Sequence, residues 1–443
     1  MKTIVSFKTI NKLAIPATMA GIAEPILSIT DTAIVGNIPI DGTESLAAVG
    51  IVGSFLSMLI WVLGQTRNAI SAIVSQHLGS GKLKDIKSLP AQAIFLNLLL
   101  SIIVLLSTVF IVEEIFMLLN ASGKILDYCI QYYSIRVWGF PLTLFTFAVM
   151  GVFGGLQNTY WPMLIAITGA VLNIILDFIF VYGITNIIEP MYLEGAAWAS
   201  LISQTIMAIM AFIFLLTKTD FSLKLHFPIH PELKRLVGMS LNLFVRALSL
   251  NVALLLAVRE ATALGENYIG AHTIAINIWL FSAFFIDGYA TAGNSISGKL
   301  LGEKNYTQLW LLAKKVMTYG LITSILLTLI CCIFYKPIGL LFSKETLVLE
   351  TFYNIFFILI IGLPINAIAF IFDGLFKGLG EMIYLRNILL IATFLVFIPI
   401  LYIGELADWG LYGIWIALTI WMLVRGGTLV WKFNKKFRPL VEK

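Results

Sequence analysis

The stretch RVWGFPLTLFTFAVMGVFGGLQ at 136–157 decides the fold, because the chain carries it twice. A shift of 223 residues lays it over LIIGLPINAIAFIFDGLFKGLG at 359–380. Gly139 then meets Gly362, Pro141 meets Pro364, Gly151 meets Gly374, Phe153 meets Phe376, Gly155 meets Gly378 and Leu156 meets Leu379. At the same offset Leu78-Gly79 falls on Leu301-Gly302. Shared glycines and prolines mark shared close approaches and kinks, which chance apolar similarity would not place in register. The chain is therefore a duplication. Its midpoint is the polar segment TKTDFSLKLHFPIHPELKRL, which divides the expected domains into 1–216, a linker 217–236 and 237–443.

Both repeats are too apolar for water. Of the 443 residues 59% are hydrophobic and 12% charged, with mean hydropathy +0.95, whereas a soluble domain carries about 25% charged residues. About 20 apolar residues cross a bilayer as a helix, the backbone paired within itself. Such runs lie at 13–36, 45–78, 88–111, 128–154, 161–183 and 193–217, and again at 237–263, 268–298, 307–334, 350–376, 384–404 and 409–431. The expected fold class is thus an all-α polytopic membrane protein of twelve transmembrane helices in two six-helix bundles. The runs 45–78 and 268–298 exceed one bilayer thickness, so they are expected to tilt or to project into water. With six spans each, the halves run parallel, a repeat arrangement used by secondary transporters.

Lys and Arg fix the orientation. Nineteen fall on the side shared by both termini, from Lys2 to Lys443, and three on the other, Lys124, Lys336 and Lys344. Both termini are expected in the cytoplasm of a cell (inner) membrane protein. Nucleic acid is an unnecessary explanation for the net charge of +5. The first run is full length and is expected to stay as span 1. Cys129, Cys331 and Cys332 form no metal or disulfide framework. HExxH, GxSxG and a complete phosphate loop are missing, so the expectation is no enzyme, no cofactor, no metal and an ion gradient as the energy source.

A charge inside hydrocarbon costs several kcal/mol, so each one is a functional candidate. Asp31 and Asp177 fall in the outer halves of spans 1 and 5, and Asn173 stands one helical turn before Asp177. None has a charged counterpart in the second half, where packing alone would have kept it. Two carboxylates in a poorly solvated cavity cannot both ionise cheaply, and such a pair can take a proton from outside and release it inward. Against this stands the reading of Asp31 as a headgroup contact. Pro16 weakens the hydrogen-bond ladder of span 1 below Asp31, and Glu24-Pro25 adds a second weak point. Arg246, Asp287 and Asp373 fall in the cytoplasmic halves of spans 7, 8 and 10, as a salt-bridge network or an inner gate. Arg67 and Arg136 have no assignable partner.

Three segments together carry a family resemblance. They are Ser28-Ile29-Thr30-Asp31-Thr32-Ala33-Ile34-Val35-Gly36, Ile269-Gly270-Ala271-His272-Thr273 through Phe285-Ile286-Asp287-Gly288-Tyr289-Ala290, and Phe372-Asp373-Gly374-Leu375-Phe376-Lys377-Gly378 with Arg386-Asn387. Over essentially its whole length the chain resembles the multidrug and toxic compound extrusion (MATE) transporters, in the branch of DNA-damage-inducible protein F (DinF). The resemblance implies two six-helix bundles round a central cavity that alternates between outward- and inward-open. It implies antiport of hydrophobic, often cationic, small molecules against protons, with sodium the second candidate. In that family the aspartate matching Asp31 is central to coupling and the proline matching Pro16 bends span 1. The pair matching Asn173 and Asp177 joins its network, as do a tyrosine and a hydroxyl matching Tyr132 and Ser200. Other branches carry a glutamate where this chain has Arg246, a departure that favours proton coupling. Lipids are the expected surroundings and a monomer the expected state. A flippase for lipid-linked substrates is the alternative, set against the acidic cavity candidates here.

Overall fold

In the computed structural model the described residues are 3–39 and 41–441, and they form helices joined by loops. Lys2 and Lys443, counted in the charge bias, lie outside them, as does the side chain of Glu24. The helices are α1 (Phe7–Gly36), α2 (Gly42–Leu63), α3 (Thr66–Gly79), α4 (Leu89–Phe110), α5 (Val112–Leu118), α6 (Gly123–Arg136), α7 (Gly139–Gly155) and α8 (Tyr160–Tyr182). They continue as α9 (Tyr192–Lys218), α10 (Pro231–Ala263), α11 (Glu266–Gly302), α12 (Tyr306–Phe342), α13 (Thr346–Gly378), α14 (Met382–Ile391), α15 (Ile398–Leu406) and α16 (Leu411–Val441).

Eleven of the described helical stretches are long and apolar enough to cross a membrane, or twelve with α6 and α7 joined as one span bent by 47°. Each apolar run of the sequence coincides with one of these stretches. The over-long run 45–78 is interrupted: its helix stops at Leu63 and restarts at Thr66. Gly64 sits at that stop, where an added Cβ would lie 2.4 Å from the Ile60 carbonyl oxygen and 2.7 Å from the Phe147 ring. The run 268–298 stays one helix of 37 residues, about 55 Å at 1.5 Å per residue, so it extends past a hydrocarbon layer of about 30 Å. Between α14 and α15 the stretch Ala392–Phe397 widens to a π-helix.

The residues gather into two compact units that are not continuous in sequence. One takes Met19–Val74 and Lys82–Ser240; the other takes the chain before Met19, Ser75–Gly81 and everything from Leu241. Within the first unit α8 packs on α9, α7 on α4 and α9, and α6 on α2 and α9. Within the second, α13 is central, flanked by α11, α12 and α16, and Trp415, Trp421, Phe352 and Phe397 fill its core.

The duplication reappears as repeated contacts. An added Cβ at Gly151 would lie 2.6 Å from the Arg67 carbonyl oxygen, and one at Gly374 would lie 2.2 Å from that of Ala290. At Gly155 it would lie 2.9 Å from the Ser71 carbonyl oxygen, and at Gly378 2.0 Å from that of Asn294. Every member of the second contact stands 223 residues after its counterpart in the first. Gly79 and Gly302 make a reciprocal version: an added Cβ at Gly79 would lie 1.9 Å from the Lys299 carbonyl oxygen, and one at Gly302 2.0 Å from that of Gln76. A side chain at any of these positions would push two helix backbones apart.

A carboxylate pair on one amide

Asp31, Asn173 and Asp177 meet in the first unit. Asn173 and Asp177 share a face of α8, one turn apart, and both are buried, at 2% and 0% exposure. The Nδ2 of Asn173 donates to Asp177 Oδ2 at 2.5 Å and to Asp31 Oδ1 at 3.0 Å. Asp31 itself is half-buried. The other oxygen of Asp177, Oδ1, is buried and receives no donor among the described residues. One amide group thus serves two carboxyls that lie within reach of each other.

Local sequence explains why these side chains converge. An α8 glycine, Gly169, lies where a Cβ would strike the Met207 sulfur at 2.2 Å, and an α9 glycine, Gly195, lies where it would meet the Phe180 carbonyl at 2.6 Å. The pair lets α8 and α9 run close together and pins the face that carries Asn173. The hydroxyl of Tyr182 on α8 donates to the Ile34 carbonyl of α1 at 2.8 Å, one turn beyond Asp31. Ile34 and Val35 are buried in a cluster with Tyr132 and Val181. The C-terminal end of α1 is therefore held against α8.

Tyr132 is buried, and Arg136, one turn along α6, places its guanidinium 5.9 Å from the Tyr132 ring. Arg136 also lies within electrostatic reach of Asp31 and Asp177, while its Nε and Nη1 have no hydrogen-bond partner among the described residues. The sequence left it unassigned, although its spacing from Tyr132 put both on one helix face. Ser200 is buried on α9. Pro16 lies inside α1, and the division between the compact units falls two residues after it, between Thr18 and Met19.

The second unit holds a separate charged cluster. Arg246 Nη2 lies 2.6 Å from Asp373 Oδ1, and Lys377 Nζ lies 2.9 Å from Asp373 Oδ2. Arg425 of α16 is 3% exposed, with its guanidinium 4.7 Å over the Trp421 ring. Asp287 does not join them: it is exposed and makes no ion pair among the described residues. The network pairs Asp373 with Arg246 and Lys377 instead. Lys377 looked like a loop charge, yet one helical turn from Asp373 is the spacing of a helical ion pair. Arg425 falls inside the run 409–431, and an arginine within a span was signal enough.

These geometries sit in a chain with known relatives. Protein DETOXIFICATION 43 of Arabidopsis thaliana is 28% identical over 77% of this chain, and the chain spans 65% of that relative's length. DNA damage-inducible protein F of Escherichia coli (strain K12) is 23% identical, covering 96% of this chain and 92% of that one. Among solved structures, one described as MATE in the bent conformation superposes with a TM-score of 0.90 at 22% identity, over 98% of this chain and 96% of that one. It shows the same fold. The MatE family profile matches residues 16–179 and 243–403, one block in each repeat, so the chain belongs to the MatE family, whose members are transporters rather than enzymes.

Proposed function

We propose that the protein is a secondary active exporter that antiports hydrophobic or cationic small molecules against protons by alternating access. The carrying observation is the Asp31–Asn173–Asp177 arrangement, supported by membership of a family of multidrug and toxic compound extrusion transporters. Two ionised carboxylates on one amide, one of them fully buried, would leave two negative charges almost unsolvated. A shared proton removes one charge and gives the bare Oδ1 of Asp177 a hydrogen to hold or share. A proton is then a ligand that changes which hydrogen bonds α1 and α8 can make.

Asp31 is the member on α1, and Pro16 supplies no N–H to that helix. Gain and loss of a proton at Asp31 would bias bending of span 1, and so exchange proton entry for substrate release. Tyr132 and Ser200 support the site from α6 and α9. The loop charges favour a cytoplasmic membrane with both termini inside. Residues 217–236 would join two six-helix bundles, 1–216 and 237–443.

The test is efflux of a fluorescent lipophilic cation from proteoliposomes, comparing wild type with Asp31→Asn under imposed proton or sodium gradients. Proton-driven efflux that vanishes in a normally inserted mutant supports the reading. A mutant that pumps like wild type removes Asp31 from coupling, and sodium-driven efflux alone replaces the proton.

A further inference from the structure

The charges of the second unit do not balance. Asp373 is 5% exposed and both its oxygens are taken, one by Arg246 at 2.6 Å and one by Lys377 at 2.9 Å. Arg246 is 6% exposed and Arg425 3%. Arg425 has no carboxylate within ion-pair distance among the described residues. Its Nη1 rests on the Met422 sulfur at 3.0 Å, and its plane lies over Trp421. The indole N–H of Trp421 is itself spent on Thr393 Oγ1 at 3.1 Å. Arg425 stands within electrostatic reach of both Arg246 and Asp373. Three cations therefore surround one carboxylate, and two of them are guanidiniums buried as like charges.

Packing does not account for this. A thioether is a weak acceptor, and ring contact does not replace the water that a buried guanidinium gives up. Arginine forks match the oxygens of a carboxylate or a phosphate, two donors at a time. We propose that Arg246, Arg425 and Lys377 form an oxyanion site in the second unit, taking a phosphate group. A singly or doubly charged oxyanion brings the cluster close to neutrality. Asp373 then acts as a fixed internal anion that orients Arg246 and Lys377. The site is distinct from the carboxylate pair of the first unit, and it stands or falls without the proposed antiport.

The group could come from a free anion or from a lipid headgroup. The test uses the purified full-length chain. Thermal unfolding is followed in detergent with increasing sodium phosphate, against sodium chloride at equal ionic strength, for wild type and Arg425→Gln. The same pair is compared in nanodiscs of phosphatidylglycerol and of phosphatidylcholine. A saturable rise in the wild-type midpoint with phosphate, weakened at least tenfold in apparent affinity in Arg425→Gln, supports a free-anion site. A rise confined to phosphatidylglycerol and lost in the mutant supports a headgroup site. No saturable rise with either, or the same rise in both proteins, overturns the proposal. Should Arg425→Gln fail to fold, equilibrium dialysis of radiolabelled phosphate against wild type in excess chloride decides, together with the phosphatidylglycerol comparison. Absence of both effects overturns the site.

Discussion

Gly151 and Gly374 do the same work in the two repeats, each letting a helix backbone lie against a partner whose own position recurs 223 residues later. A methyl at Gly374 would fall 2.2 Å from the Ala290 carbonyl oxygen, and one at Gly151 2.6 Å from that of Arg67. Backbone cannot step aside as a flexible side chain can. Gly374→Ala and Gly151→Ala should therefore each cost about 1–3 kcal/mol of stability, the usual range for overpacking. Gly50 has nothing within 4 Å of its added Cβ, and Gly50→Ala in α2 should be neutral or slightly stabilising. Thermal unfolding of the three variants in one detergent measures this. Equal destabilisation at Gly50 and Gly374 would show that glycine content, rather than close approach, is being felt.

Asn173→Leu keeps the volume of the amide and removes its donors. Both Asp31 and Asp177 then lose the hydrogen bond they share, and nothing orients the pair. Proton-driven efflux should fall at least tenfold and stability by about 1–3 kcal/mol, the cost of a buried acceptor left without its donor, while insertion is retained because α8 and α9 are set by Gly169 and Gly195. Tyr182→Phe, which deletes only the bond to the Ile34 carbonyl, should cost about 1 kcal/mol of stability and leave residual transport. Efflux assays at matched protein density separate the two. Full transport by Asn173→Leu would remove the amide from the coupling site.

Arg246 and Asp373 make a buried pair, so removing one partner should hurt more than removing both. Asp373→Asn leaves two cations without their carboxylate and should cost about 3–5 kcal/mol. Arg246→Met combined with Asp373→Leu should recover part of that loss, because Lys377, at 14% side-chain exposure, can carry its charge toward water, while Arg425 stays buried at 3% exposure without the nearby anion. A double-mutant cycle read by chemical or thermal unfolding gives the coupling. Additive losses would place the pair outside the stability of the second unit.

The sequence showed the spans, the duplication and the carboxylate pair for one reason: hydrocarbon allows long apolar helices and little else. Its signals ran out where neighbours decide. Gly64 at the stop lies against Phe147, which is far away in sequence, and the chain bends by 47° just before Pro141 between α6 and α7, whereas the matching Pro364 stays inside the unbroken α13. Asp287 and Asp373 looked alike as intramembrane acids. One faces outward from its helix and the other sits between Arg246 and Lys377, a distinction that exists only once α10 and α13 are packed. Arg136 and Arg425 were legible as charges within spans but had no partner until the fold supplied the surroundings.

Asp41 precedes α2 in the left-handed region, at φ 51°, and anchors the corner between α1 and α2. The Tyr128 hydroxyl donates to its Oδ2 at 2.7 Å, and Lys124 lies 3.2 Å from both oxygens. The Tyr128 bond, then the Lys124 partner, holds its carboxyl below the usual carboxylate range. A folded value below the unfolded one stabilises the corner at pH above the unfolded value of about 3.9. That contribution disappears as pH falls through the lowered folded value. The first turn of α2 should therefore stay protected near neutrality and open more readily in acid. Tyr128→Phe removes the larger cause, so the corner should be looser at neutral pH and change less on acidification. Hydrogen–deuterium exchange of the peptide 41–50, corrected for intrinsic rates, reads both effects. Exchange that responds to acid equally in both proteins would mean that Tyr128 does not hold Asp41 in its charged form.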